Sequence, residues 1–316
     1  MKLLVTGGAG FIGSNFIRYW LNTHPEDRLI NLDVLSYAGN VENLRGIKES
    51  KKYTFMKGNI GNRKLLEKVM KDVDIVVNFA AETHVDRSLE DSSVFFNNNV
   101  IAASVLYKIS IKKRVKKFIQ ISTDEVFGEL PGDGNSKFDE NSRYNPQNPY
   151  SVSKAAADFL AFSYHKAYGF PIIITHSGNN YGPCQYPEKF IPLTITNALA
   201  GKNIPVYGNG KQVRNWIYVE DNVRAIEKII IHGKIGERYC IGGEELKNIE
   251  VAEMILDRLG LGRKLIAYVR DRPGHDRKYA LNCSKIKNEF GWRAKYSFKE
   301  GVAKTIEWYK NKSLKI

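Results

Sequence analysis

The N-terminal stretch constrains the fold more than any other part of the chain. Leu3, Leu4 and Val5 read as a short buried strand, and Gly7, Gly8, Gly10 and Gly13 follow it directly, ahead of a helical pattern over 11–21. Glycines at this spacing let the chain turn tightly out of a strand and bring bare backbone up to a pyrophosphate. The charge of that anion then faces the amides that open the helix. A glycine pattern alone says little. Here it lies between a strand and a helix, and a second strand over 28–33 ends on Asp33, twenty residues past Gly13. A carboxylate there accepts hydrogen bonds from the adenosine ribose hydroxyls and repels a 2′-phosphate, and Val34, Leu35 and Ser36 supply no cation to hold one. The pattern predicts NAD rather than NADP.

Strands over 53–57 and 74–80 with a helix over 63–71 continue the alternation, which predicts a doubly wound parallel (Rossmann) sheet. The strand over 74–80 delivers Ala81, Glu82, Thr83 and His84 to its carboxyl end, where small residues let a cofactor pack close. His84 has no second His or Cys at ligand spacing, so no metal is expected. A mostly helical pattern over 88–112 carries Asn97, Asn98 and Asn99, which can face the cofactor. Next, the apolar run over 117–122 reads as a buried strand and places Thr123, Asp124 and Glu125 at its carboxyl end, where open α/β sheets bind ligands. Tyr150 and Lys154 stand four apart at the start of another helix, on one face. Tyrosine titrates near ~10, and a neighbouring cation can lower that by roughly 1–3 units, which makes the pair a candidate proton acceptor. Tyr-x-x-x-Lys also arises by chance, and adjacent acids are more often a solvated turn. Their place beside a buried strand, in a chain that opens as a nucleotide fold, favours the functional reading. The Gly-, Pro- and Asn-rich stretch 129–148 reads as a surface lid leading into the Tyr150 helix.

At 316 residues the chain divides into a nucleotide-binding domain over 1–177 and a smaller C-terminal α/β substrate domain over 178–316, with some interleaving of segments. The net charge of +14 is spread along helix faces with no nucleic-acid motif, so the basic residues read as solvated surface that helps attract a small anion. Cys184, Cys240 and Cys283 are too few and too far apart for a disulfide framework or a zinc site. With no signal-peptide pattern and no apolar run near ~18 residues, the expectation is a soluble cytoplasmic protein without a membrane partner. Basic clusters in the second half, around Arg214 and over 270–277, suggest a second phosphorylated ligand.

Taken together, the glycines at 7–13, Asp33 with the segment 37–40, 80–88, Thr123-Asp124-Glu125, Tyr150 with Lys154, the segment 179–183, Pro187-Glu188-Lys189 and Arg272-Pro273-Gly274-His275 resemble the dTDP-glucose 4,6-dehydratases, a family of extended short-chain dehydrogenases/reductases. The resemblance covers essentially the whole chain. The glycines and Tyr-Lys mark the superfamily only, whereas Thr-Asp-Glu at the strand end separates dehydratases from sugar-nucleotide epimerases.

The resemblance implies NAD contacts from Phe11, Ile12, Asp33, Val34, Leu35, Ser36, Asn59, Ile60, Phe79, Ala80, Ala81, Glu82, Thr83, Asn98, Tyr150, Lys154 and Asn180. It implies nucleotide-sugar contacts from Thr83, Thr123, Asn179, Lys189, Phe190, Pro205, Val206, Tyr207, Arg214, Asn248, Asp271, Arg272, Pro273, Gly274 and His275. Lys189, Arg214 and Arg272 suit the diphosphate, and Tyr207 the base. Asn59, Asn98, His176 and Asn215 depart from the residues usual at their positions, which are Asp, Thr, Arg and Asp. The implied reaction converts dTDP-glucose to dTDP-4-keto-6-deoxyglucose in deoxysugar biosynthesis, with Tyr150 and Lys154 serving oxidation at C4. Thr123 binds the 4-oxygen, Asp124 acts as acid at the 6-hydroxyl and Glu125 as base at C5. An epimerase or decarboxylase acting on a UDP-sugar is the alternative, and a silent NAD-binding protein a third reading. The family also pairs the helices over 88–112 and 150–168 across a two-fold axis, which implies a homodimer.

Overall fold

The fold is described from a computed structural model over residues 1–47, 51–131, 134–271 and 275–313. The chain opens as β1 (Lys2–Thr6), α1 (Phe11–Thr23), β2 (Arg28–Asp33), β3 (Tyr53–Lys57), α2 (Arg63–Val69) and β4 (Ile75–Asn78). Next come α3 (Val85–Glu90), α4 (Ser92–Phe96), a π-helical turn (Asn97–Ala102), α5 (Ala103–Lys112), β5 (Lys117–Thr123), a 3₁₀ turn (Asp124–Phe127), α6 (Pro149–Tyr168) and β6 (Ile172–Ser177). The second half contributes β7 (Asn179–Tyr181), α7 (Phe190–Leu199), β8 (Ile204–Tyr207), β9 (Val213–Tyr218), α8 (Val219–His232) and β10 (Arg238–Ile241). It ends with β11 (Glu244–Lys247), α9 (Asn248–Leu259), β12 (Ile266–Val269), α10 (Ser284–Phe290) and α11 (Phe298–Ser313).

Seven parallel strands form one sheet in the order β10-β6-β5-β4-β1-β2-β3, so the strand order reverses between β1 and β4. Alternate residues feed its two faces. Leu3 and Val5 join Phe16, Ile17 and Trp20 of α1 and Ile226 of α8, while Leu4 meets Leu66 of α2 and Leu106 and Tyr107 of α5. Helices on both faces account for the near-continuous apolar strands. Beneath the ends of the central strands, the Thr6 hydroxyl donates to Asn78 and the Asn78 amide to Gln120, a buried polar ladder across β1, β4 and β5.

The chain does not cut cleanly after residue 177. α8 packs on α1, and β10 returns to the free edge of β6. The rest of the second half builds a smaller layer, with β9 between antiparallel β11 and parallel β7, and β8 paired with β12. The stretch 129–148, expected to be a lid, is a strap in its described residues. Leu130 N–H bonds Lys278 C=O, Phe138 N–H bonds Ala280 C=O, Asn282 N–H bonds Phe138 C=O, and the Phe138 ring stacks on Phe127 at 5.2 Å. Its composition reads as loop because the pairing comes from backbone groups of a distant segment.

The apolar runs of the sequence suggested nothing able to cross a membrane. The helical stretch Ser92–Lys112 is nevertheless long and apolar enough by length and composition, with a mean hydropathy of 1.2 and 44% of its window buried inside the protein.

Buried Asp221 of α8 joins this layer to the C-terminal segment. Its carboxylate accepts from Lys295 N–H at 2.8 Å, Tyr296 N–H at 3.0 Å and Arg224 at 2.8 Å. Asp221→Ala strands those donors and should lower stability by about 2–3 kcal/mol, read as a lower urea midpoint at unchanged slope.

Candidate active site

The carboxyl ends of the central strands open onto one cleft, where the residues expected to bind the cofactor meet. Gly7, Gly10, Phe11, Ile12 and Gly13 line it from the first turn, and Asp33, Val34, Ser36, Asn59 and Ile60 from the turns after β2 and β3. Phe79, Ala80, Ala81, Glu82 and Thr83 line it after β4, with Asn98, Tyr150, Lys154 and Asn180 completing the set. Leu35 is the exception. It adopts a left-handed φ of 58° and gives its N–H to Asp33 Oδ1 at 2.7 Å, so it shapes the loop rather than the lining.

These residues fit a dinucleotide. A β-carbon on Gly7, at φ +67°, would lie 2.6 Å from Ala80 N, and one on Gly13 would lie 2.4 Å from Gly7 O, so only glycine lets α1 start this close to the strands. Gly10 caps α1 without a side-chain hydrogen bond, which leaves the first-turn amides for an anion. Asp33 also takes Ala9 N–H at 2.8 Å. Burial pushes its carboxyl up, and the two N–H groups oppose that.

Thr123, Asp124 and Glu125 leave β5 as a 3₁₀ turn capped by Thr123, whose hydroxyl oxygen accepts Glu125 N–H at 3.3 Å. Burial pushes the Asp124 carboxyl up to about 8, the charge of Glu125 adds to this, and Arg214 opposes it. Glu125 is also pushed up by burial, while Arg214, Lys189 and the Asn148 amide hold it down. Two adjacent acids therefore differ. Asp124 keeps its proton at neutrality.

α6 starts at a capping box between Asn148 and Ser151, with Pro149 in its first turn. Tyr150 then meets the Thr123 hydroxyl. Burial pushes its phenol well above the ordinary range and Glu125 adds to the effect, which corrects the expectation of an acidic tyrosine. Lys154, one turn on, donates its ammonium to the Ile121 carbonyl at 2.6 Å.

Of the residues expected to hold a nucleotide sugar, Thr83, Thr123, Asn179 and Lys189 line the same cleft, and Lys189 donates to the Thr83 carbonyl at 2.9 Å. The other described ones are not part of its lining. Phe190 opens α7 near Trp216, with ring centres 6.1 Å apart. Pro205, Val206 and Tyr207 form β8, in which Val206 is buried in the core, and the Tyr207 ring stands edge-on to His275 at 6.1 Å. His275 Nδ1 pairs with Asp271 at 2.5 Å, and Gln212 donates to Asp271 at 3.0 Å. Asn248 opens α9 with a buried, unpartnered Oδ1. Arg214 is turned inward, donating to the Val213 and Asp276 carbonyls and lying 4.5 Å from the centre of the Tyr279 ring. Arg272, Pro273 and Gly274 lie outside the described residues.

The family profile described as GDP-mannose 4,6 dehydratase matches residues 4–305. A dTDP-glucose 4,6-dehydratase of Streptomyces niveus is 44% identical over 98% of this chain and 93% of its own length. The chain belongs to the dTDP-glucose 4,6-dehydratase family. A low-salt glycan biosynthesis protein of Haloferax volcanii is 45% identical over 98% of each chain. Among solved structures, the dTDP-glucose 4,6-dehydratase DesIV of Streptomyces venezuelae, with NAD and TYD bound, is similar at a TM-score of 0.96 and 43% identity, covering 98% of this chain and 97% of that one.

In this dehydratase fold some contacts that shape the cleft had escaped the sequence reading. Arg87 of α3 lies 3.9 Å over the Tyr37 ring and donates to Glu188 at 3.0 Å, which ties the helix to two loops; Tyr37 and Glu188 line the cleft. Asn99, in the π turn, accepts Glu82 N–H at 2.8 Å and donates to Glu82 C=O at 3.0 Å and Ser153 Oγ at 2.9 Å. Glu188 stood beside Lys189 and was findable, whereas Arg87 and Asn99 matter only through segments far away in sequence. Asp124 Oδ2, Asn179 Oδ1, Asn180 Oδ1 and Glu188 Oε1 are buried without a partner in the protein, oxygens suited to ligand hydroxyls and amides.

Asp124 binds its proton more tightly folded than at the unfolded value of 3.8, so its protonation favours the fold at low pH and that gain is lost as pH rises through about 8. Asp124→Asn should melt higher than the native protein above about pH 8, and the gap should shrink toward pH ~4, as calorimetry across that range will show.

Proposed function

We propose that this protein dehydrates dTDP-glucose to the 4-keto-6-deoxy sugar with NAD as resident cofactor. The observation that carries the reading is the acid pair Asp124 and Glu125 at the end of β5, Asp124 buried and protonated at neutrality, both acting on the Tyr150 phenol. Elimination of water needs an acid and a base at neighbouring carbons, and an epimerase or decarboxylase has no use for both. NAD, when bound, would supply a hydride acceptor at C4, a hydride donor at C6 and a positive charge beside Tyr150. Gly7, Gly10, Gly13, Asp33 and Lys154 would hold it. The substrate 4-hydroxyl gives its proton to Tyr150, with Thr123 bonding the oxygen. Glu125 takes the C5 proton, made acidic by the 4-ketone, and Asp124 protonates the departing 6-hydroxyl. Lys189 and the loop bearing Asp271 and His275 grip the nucleotide, and Tyr207 meets the base. The region 1–177 holds the cofactor and most of 178–316 the nucleotide sugar. An intracellular cofactor and an activated sugar support a cytoplasmic place for the enzyme.

The assembly we infer is a homodimer. Leu89, Val94, Phe96 and Ile101 on the run from α3 through the π turn, and Val152, Phe159 and Tyr168 on α6, are exposed apolar side chains of helices that touch each other. Such a patch suits a second copy of the same face. It also accounts for the apolar composition of Ser92–Lys112.

Substrate deuterated at C4 should give product labelled in its C6 methyl group by mass spectrometry, with no net consumption of NAD, and label returned to C4 would instead mark an epimerase. Asp124→Asn should slow water loss by roughly 10²–10⁴-fold. Light scattering should report a dimer at micromolar concentration and a monomer for the double variant Ile101→Glu/Phe159→Glu; a native monomer would refute the dimer.

A further inference from the structure

Lys154 and Asp158 stand one turn apart on α6 and grip successive residues of β5. Lys154 donates to the Ile121 carbonyl at 2.6 Å, and the Ser122 hydroxyl donates to Asp158 Oδ2 at 2.6 Å. Both side chains are buried, Asp158 completely. The acceptor of Lys154 is a neutral carbonyl, and a buried ammonium with no anion nearby surrenders its proton.

The groups around the pair come from every element packed there. β5 supplies Ser122, and β6 supplies His176, whose Nε2 lies 3.4 Å from Asp158 Oδ2. The segment before α6 supplies Tyr144, with its hydroxyl 3.2 Å from Asp158 and 2.7 Å from His176 Nε2. Arg238 of β10 engages the Tyr144 ring, 5.0 Å from its centre. α5 brings Tyr107, a phenol kept neutral by burial. α6 itself brings Tyr150, and the 3₁₀ turn brings Glu125 and Asp124 toward that phenol. His176 Nδ1 is buried without a partner. Burial lowers the proton affinity of Lys154, and the charge of Asp158, one turn on along α6, raises it.

We propose that Asp158 is a positioning residue of the acid–base machinery, a buried carboxylate that keeps Lys154 charged and locks α6 to the end of β5 without touching substrate. The proposal rests on the reading of Tyr150 and Lys154 given above.

Asp158→Asn keeps the shape and can still accept from Ser122, so it removes the charge alone. The proton on Lys154 is followed directly by the ¹³C resonance of its Cε, assigned by its loss in Lys154→Met. In Asp158→Asn the titration midpoint should fall by about one pH unit or more, and the alkaline limb of kcat/KM for dTDP-glucose should move down with it. An unmoved midpoint overturns the proposal even if the variant melts lower, since a purely structural tie would have only that effect. A midpoint that falls while the rate limb stays upholds the hold of Asp158 on Lys154 and overturns the acid–base reading instead. Should Asp158→Asn fail to fold, His176→Arg sets a permanent cation against the same carboxylate and must shift both readouts in the same direction. Unchanged values in that variant also overturn the proposal.

Discussion

Two side chains of α6 hold two consecutive residues of β5, and this fixes the rotation of the helix about its own axis. Residues on an α-helix step by about 100°, so a slip of one position would carry Tyr150 away from Thr123. Fastened as it is, the helix brings its phenol to the strand end from one turn before Lys154, and Asn148, which caps it, reaches Glu125. The strand delivers the acids and the helix delivers the tyrosine. The contact between them sets the spacing of all three, so chemistry at three substrate atoms depends on one helix–strand junction.

Burial then separates side chains of like type. Asp124 and Glu125 share a backbone turn and both feel Arg214, yet Lys189 and the Asn148 amide also act on Glu125, whereas Asp124 faces the charge of its neighbour. In water the two would titrate almost together. In a site of low dielectric, small differences in surroundings become different protonation states. Arg214 achieves its effect by being turned inward and held by two carbonyls and an aromatic ring, a geometry that resists reorientation.

Much of this was legible in the sequence where local rules suffice. The first glycine turn, Asp33 and the Thr-Asp-Glu strand end were readable because strand periodicity and turn chemistry act within a few residues. The two carboxyls could be named, but only the family resemblance gave them different roles, since the surroundings that separate them include Lys189, which lies far away along the chain. The direction of the Lys154 ammonium was misread for a related reason: helical spacing puts it on the same face as Tyr150, but its acceptor belongs to a strand. The strap at 129–148 looked like a lid because a backbone ladder leaves no mark on composition. The bonds of Asn99 to Glu82 and Ser153 were hidden by the π turn, whose extra residue shifts the helical register there.

The return of β10 to the main sheet has a consequence for how the chain is made. When β6 first forms, its outer edge carries unpaired N–H and C=O groups, and the strand that covers it, Arg238–Ile241, is synthesised only after the whole of β7, α7, β8, β9 and α8. Until then the nascent nucleotide-binding half presents an open apolar strand edge, the kind of surface that pairs with other chains. Completion of the cofactor fold therefore waits on the half of the protein that is to hold the sugar, and neither half is finished on the ribosome before the other has begun.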